Sequence, residues 1–89
     1  MASYVYVLRS PVTGQHLIGS TNDLHQRIAR HNSFSSRAYR SGNSWECVYV
    51  EVMDSIDEAR RRERYLKSLD GIDEKIRIIY SLPSRDRAS

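Results

Sequence analysis

The spacing of apolar positions changes repeatedly along this chain, and each change predicts an element. From Tyr4 to Leu8 the residues are tyrosine, valine and leucine, with Tyr4, Tyr6 and Leu8 on one face of an extended segment and Val5 and Val7 on the other. Both faces are apolar, which predicts a strand in the middle of a sheet. Ser10 to Gln15 contains Pro11 and Gly14, residues that turn a chain, and His16 to Ser20 returns as an antiparallel partner to complete a hairpin. Alternation in the return strand puts Leu17 and Gly19 on one face and His16 and Ile18 on the other. Gly19 marks a place where the backbone bends or another group comes close.

A helix is expected from Asp23 to His31. Thr21 or Asn22 is placed to accept from the free amides of its first turn, and Asp23 sets a negative charge at the positive end of the helix dipole. Leu24 and Ile28 are four apart, as are Arg27 and His31, so an apolar stripe and a cationic stripe run side by side. Asn32 to Ser44, rich in Ser, Asn and Gly, reads as a loop, and Trp45 to Met53 as a third strand with few charges, largely covered. Ser55 and Glu58 form a capping box, opening a helix that runs to Leu69 before Gly71 ends it. Ile56, Ala59, Leu66 and Leu69 make its core stripe. Ile76, Ile79 and Tyr80 predict a short last helix after Asp73, closed by Pro83. Together these elements predict an α/β chain of the α+β kind, a small three-stranded antiparallel sheet flanked by helices. One domain is expected over residues 1–83, with residues 84–89 as a frayed tail.

Length and charge narrow the reading. An 89-residue chain buries a modest core, so a large internal pocket is not expected. The formal charge of +3 permits nucleic-acid binding without demanding it. The excess lies in residues 1–50, where five arginines face Asp23 and Glu46, whereas basic and acidic residues cancel beyond. Of 14 basic residues 12 are arginine, the better fork for phosphate oxygens, although a bias in codon usage would give the same preference. Cys47 is the single cysteine, which excludes an intrachain disulfide and thiolate zinc sites, and it reads as a small apolar strand residue. The three histidines do not form a metal set. No secretory or membrane-spanning run is present, so the cytosol is the default compartment.

Three groups of residues suggest chemistry. Arg27 and His31 pair a fixed fork of donors with a group that exchanges protons near neutrality, which suits a phosphate, although both would serve equally as solvated surface residues. Glu63 falls inside the apolar stripe of its helix, where a carboxylate is costly unless it is paired or holds a cation, and a salt bridge to Arg27 or Arg60 would satisfy it. In the loop, Arg37 and Arg40 flank Tyr39, offering charge for phosphate and a ring for stacking, while Tyr39 and Phe34 are also suited to pin the loop to the body. The arginines Arg60 to Arg62 and Arg64 read mostly as a solvated face, one edge of which could reach a nucleic-acid backbone.

The chain resembles the GIY-YIG nuclease superfamily, in particular its small members. Tyr4-Val5-Tyr6 stands at the first signature triplet and Leu17-Ile18-Gly19 at the second. Gly19 to Leu24 with Arg27, His31 and Asn32 matches the helix that follows, and Trp45 to Tyr49 and Glu58 to Ser68 match the third strand and second helix. Several short motifs in order make the resemblance specific. It departs at Leu17, where the family carries a tyrosine.

The resemblance implies a divalent-metal-dependent endonuclease acting on nucleic acid, DNA rather than RNA. By residue, it implies Tyr6 as general base or its helper, Arg27 as phosphate clamp, His31 as partner of the tyrosine or of water, and Glu63 as sole protein ligand of Mg²⁺ or Mn²⁺. Tyr4, Gly19, Arg37, Tyr39 and Arg40 would contact substrate. Arg27 and the metal would favour a Tyr6 phenolate. Leu17 removes one hydroxyl, which leaves a second reading open, a nucleic-acid-binding module of the same fold with little catalysis.

Overall fold

The computed structural model describes residues 2–11, 13–32 and 45–81. The strands β1 (Ser3–Arg9), β2 (His16–Thr21) and β3 (Glu46–Met53) form one antiparallel sheet in the order β2-β1-β3, accompanied by the helices α1 (Leu24–His31), α2 (Ile56–Lys67) and α3 (Ile72–Ser81). β1 is the central strand, as its two apolar faces predict, and Val5 to Leu8 are all buried. The expected tail at 84–89 lies outside the described residues. No helix among the described residues is long and apolar enough to cross a membrane.

The hairpin turn is closed by Ser10. Its amide donates to Gln15 O (2.9 Å), its carbonyl accepts from Gly14 N (2.8 Å), and its hydroxyl accepts from Thr13 N (3.2 Å). Gly14 takes φ +76°, a conformation that residues with a β-carbon avoid. The register then sets Tyr6 against Gly19 and Val50, and Val5 against Ser20 and Glu51. Tyr4, Tyr6, Leu8, Leu17 and Gly19 therefore share one face, and Val5, Val7, Ile18 and Ser20 the other. A register shift between Val7 and Leu8, where Tyr49 and Cys47 are the successive partners, puts the extra residue Val48 into β3.

The core lies on the Val5 face. Val5, Val7 and Ile18 pack under Ala59 and Leu66 of α2, with Ile56 of α2 and Ile78 of α3 at the margin. Burial of a side chain such as Leu66 stabilises the fold by roughly 1.5–3 kcal/mol. α2 begins as its capping box predicts, with the Ser55 hydroxyl accepting from Glu58 N (3.2 Å). It ends at Lys67, earlier than expected, because Ser68 is extended and its amide and hydroxyl turn back to Tyr65 O. Leu69 thereby leaves the helical register and is 87% exposed, so it is not part of the core stripe. Gly71 permits the tight connection to α3, since a β-carbon there would lie 2.0 Å from Tyr65 O. On α3 it is Ile78 that meets the core, while Ile76 and Tyr80 are exposed.

Two further expectations are corrected. β3 is an edge strand rather than a covered one, with Val52 67% exposed and Cys47 exposed too. Arg62 is not on a solvated face: it donates through Nε to Glu51 Oε1 (2.8 Å) and through a terminal nitrogen to Glu51 Oε2 (2.9 Å), and also to Glu74. Tyr49 completes the cluster by donating to Glu51 Oε2 (2.6 Å). One guanidinium thus ties β3, α2 and α3 together.

The cluster predicts an alkaline weakness. Burial, reinforced by the bond to Glu51 and its charge, pushes the Tyr49 phenol up to about 12. A phenol with a raised folded pKa stabilises the fold fully below its unfolded value of about 10 and loses that contribution as pH rises through the folded value. The stability of the parent relative to Tyr49→Phe, from chemical denaturation, should therefore fall between pH 10 and about 12. A difference that stays constant over that range would refute the assignment.

Candidate active site

The site is built around a missing side chain. Gly19 lies inside β2, opposite Tyr6, and a β-carbon on it would sit 2.3 Å from the Tyr6 hydroxyl and 2.4 Å from the ring carbon that bears it. The chain does not bend there, as β2 continues to Thr21; the glycine lets the tyrosine ring cross the strand instead. Tyr6 is 2% exposed, and its ring meets that of His31 edge to face, with centroids 6.5 Å apart.

His31 and Arg27 arrive on α1, which leaves β2 almost directly. The cap is Asp23, whose side chain accepts from Gln26 N (3.0 Å), rather than Thr21 or Asn22. Thr21 supports it, its hydroxyl accepting from Asp23 N (3.0 Å). At the far end Asn32 holds the start of β3 by two bonds, Nδ2 donating to Trp45 O (3.0 Å) and Oδ1 accepting from Trp45 N (2.7 Å). This clamp fixes the end of α1, and with it His31, relative to the sheet. Arg27, one helical turn back from His31, lies near enough to the Tyr6 hydroxyl for its charge to act on it.

Glu63 comes from the opposite side. α2 packs on the Val5 face, and from there the Glu63 carboxylate accepts from the Ser20 hydroxyl through Oε1 and from Lys67 Nζ through Oε2 (2.6 Å). Ser20 follows Gly19 on the edge strand, so the carboxylate and the tyrosine hydroxyl meet around the rim of the sheet rather than on one face of it. Their charges register the proximity. Glu63 raises the Tyr6 pKa, and Arg27 lowers those of both. The expected salt bridge of Glu63 to Arg27 or Arg60 is instead one to Lys67, four residues on along the helix.

The environments push the titrations apart. Burial drives the Tyr6 phenol up; the Arg27 guanidinium opposes this and Glu63 adds to it, so the net is a pKa above the ordinary value. Arg27 does favour the phenolate, as expected, but burial and Glu63 outweigh it, and the protein's own groups keep Tyr6 protonated. Burial and then the Arg27 charge hold His31 below the ordinary imidazole value, so it is neutral at pH 7. For Glu63, burial pushes up but is outweighed by the bonds from Lys67 and Ser20 and the charges of Lys67 and Arg27, leaving an ionised carboxylate.

Other candidates fall elsewhere. Tyr4 stands at the far end of β1, lining a cleft with Asn22, Leu24 and Ile28. Leu17 lies on the Tyr6 face and borders a cavity with Ile18, Lys67 and Ile79. Arg37, Tyr39 and Arg40 lie outside the described residues. Sequence patterns did not single out Ser20 or the Lys67 counter-ion; Lys67 could have been found from its spacing of four after Glu63, whereas nothing local marks Ser20. As for a metal, the described residues hold no cluster of three or more His, Cys, Asp or Glu. A hard divalent cation that keeps most of its waters still fits a single ionised carboxylate, and Glu63 is the residue here that would hold it.

The crossing of Tyr6 over Gly19 is open to a direct test. Gly19→Ala should cost about 1–3 kcal/mol by overpacking, and less when Tyr6→Ala has already removed the ring. Denaturant titrations of the two single variants and the double complete the cycle; additive costs would mean that the two positions do not touch.

With this geometry in place, comparison with known proteins is informative. A model of the GIY-YIG catalytic domain matches residues 2–75. A UPF0213 protein of Clostridium perfringens (strain 13 / Type A) is 34% identical over 80 residues, covering 89% of this chain and 84% of the relative. No solved structure matches. The matched span runs from ahead of β1 into α3 and takes in Tyr6, Gly19, Arg27 and Glu63 alike, and the chain belongs to the GIY-YIG family of nuclease catalytic domains.

Proposed function

We propose that this protein is an endonuclease that hydrolyses phosphodiester bonds in DNA with the help of one Mg²⁺ or Mn²⁺. The observation that carries this reading is the position of Glu63, an ionised carboxylate brought around the sheet edge to the group formed by Tyr6, Arg27 and His31. Family membership supports a nucleic-acid substrate.

Each side chain then has a task suited to its state. Arg27 offers a planar fork to the non-bridging oxygens of the scissile phosphate, where charge grows as the water oxygen bonds to phosphorus and the bond to the leaving oxygen breaks. His31, neutral at pH 7, accepts the proton that the attacking water gives up. Tyr6, held as a phenol, donates a hydrogen bond to the water or phosphate instead of acting as base. Glu63 would hold the cation, whose contribution when bound is Lewis-acid stabilisation of the phosphate oxygens. The leaving oxygen takes its proton from solvent.

Leu17 favours a second reading, a nucleic-acid-binding module with little catalysis. It puts an alkyl group on the face that carries Tyr6, and a preorganised donor is worth about 10²–10³ in rate.

Nicking of plasmid and of branched, nicked and single-stranded DNA, with an RNA arm, in Mg²⁺, Mn²⁺ or EDTA, separates the two. Arg27→Ala and Glu63→Gln should each lower the metal-dependent rate by about 10²-fold or more, and Leu17→Tyr should raise it ~10-fold. DNA binding without cleavage that depends on metal or on Glu63 selects the second reading.

The salt bridge gives a measurement independent of turnover. A cation on Glu63 must compete with the Lys67 ammonium, which lies 2.6 Å from Oε2. Lys67→Met should tighten Mn²⁺ binding several-fold, as read from water-proton relaxation, and Glu63→Gln should abolish it. Equal affinity in all three proteins would remove Glu63 as the ligand.

A further inference from the structure

Beyond the catalytic group, the outer face of α2 carries a second feature. Arg60, Glu63, Arg64, Lys67 and Ser68 line one shallow groove of about 510 Å³. At 100° per residue Arg60, Glu63, Arg64 and Lys67 fall on a single face of the helix, with Glu63 at one border, and Ser68 follows at its C-terminal end. Arg60, Arg64 and Lys67 are exposed. Of these only Lys67 is in an ion pair with a described residue, and that is the bond to Glu63. The contrast is Arg62 on the same helix, partly buried and held by both Glu51 and Glu74. One arginine of α2 is thus committed to the fold, and two are left facing outward along the groove that begins at the proposed metal ligand.

We infer that this groove is a backbone-binding track, which holds the phosphates of a nucleic-acid strand on one side of the scissile bond. The inference rests on the endonuclease reading and extends it. From Arg60 to Lys67 the cations span roughly 10 Å of helix axis, and successive phosphates of one winding strand lie roughly twice the ~3.4 Å axial rise apart, so about two phosphates face the groove. Arginine suits this use because its fork takes two phosphate oxygens at once. No aromatic ring among the described residues lines the groove, so it meets the backbone rather than the bases, and binding is independent of sequence. The strand runs from Arg27 at the sheet edge, past Glu63, and on along α2.

Binding of fluorescent duplex and single-stranded oligonucleotides, measured by anisotropy in EDTA from 50 to 200 mM NaCl, tests the track apart from catalysis. Arg60→Ala/Arg64→Ala should weaken binding about tenfold or more at low salt. The plot of log K against log salt should flatten by about 1.4 to 1.8 units, because two phosphates are no longer neutralised. Arg60→Lys/Arg64→Lys should keep most of the slope, and Arg77→Ala, on α3, should leave it almost unchanged. A parent slope retained in the folded double alanine variant, or matched losses from Arg77→Ala, would overturn the track while leaving the nuclease reading to its own test. A parent that binds no nucleic acid at 50 mM salt would overturn both.

Discussion

A tyrosine hydroxyl occupies the space of a β-carbon that residue 19 does not have, and the geometry of the site follows from that exclusion. β1 is central and its Tyr6 is buried, so the ring has no solvent-facing alternative and must cross its neighbouring strand. β2 is an edge strand, so the crossing delivers the hydroxyl to the rim of the sheet. Only there do groups from both faces come within reach of one another. The hydroxyl thereby joins the Arg27 and Glu63 charges, which also act on each other directly.

The carboxylate is held as firmly as the ring. α2 is pinned on one flank by Arg62, which spans to Glu51 and Glu74, and on the other by the bond from Ser20 to Glu63. Adjacent residues thus point to opposite flanks, one fixing the rotation of the helix and the other exploiting it. The apolar stripe between them, Ala59 and Leu66, sets the distance to the sheet. A partly desolvated carboxylate in such a position is tolerable because Lys67 and Ser20 satisfy both of its oxygens. Lys67 therefore reads as a counter-ion that makes the site foldable as well as a competitor for any cation that enters it.

Electrostatics sorts the titratable groups into distinct states at neutral pH. Tyr6 is a phenol and His31 a neutral imidazole, both displaced mainly by burial, whereas Glu63 is a carboxylate because its bonds and cationic neighbours outweigh burial. Arg27 acts on all three, which makes it the electrostatic centre of the group as well as its candidate phosphate clamp. Pushing a donor and an acceptor apart in pKa is the usual way a small site assigns an acid and a base.

Local chemistry was enough to establish much of this protein from its sequence. The hairpin, the central strand with two apolar faces, the Ser55 cap and the helical spacing of Ile56, Ala59 and Leu66 are all short-range patterns, and the strand register and α2 obey them. Gly19, Arg27 and Glu63 stood out by residue type and position in their elements, whereas Tyr6 was marked as a site residue only by the resemblance to GIY-YIG domains. What the sequence could not decide was how elements meet. That Gly19 makes room for Tyr6 rather than bending the strand depends on the cross-strand register, and that Glu63 pairs with Ser20 depends on which face α2 covers. Leu69 and Val52, apolar and expected to be covered, are exposed because one lies past an early helix end and the other on an edge strand. Periodicity reports which side of an element is apolar; only the packed structure determines whether anything lies against it.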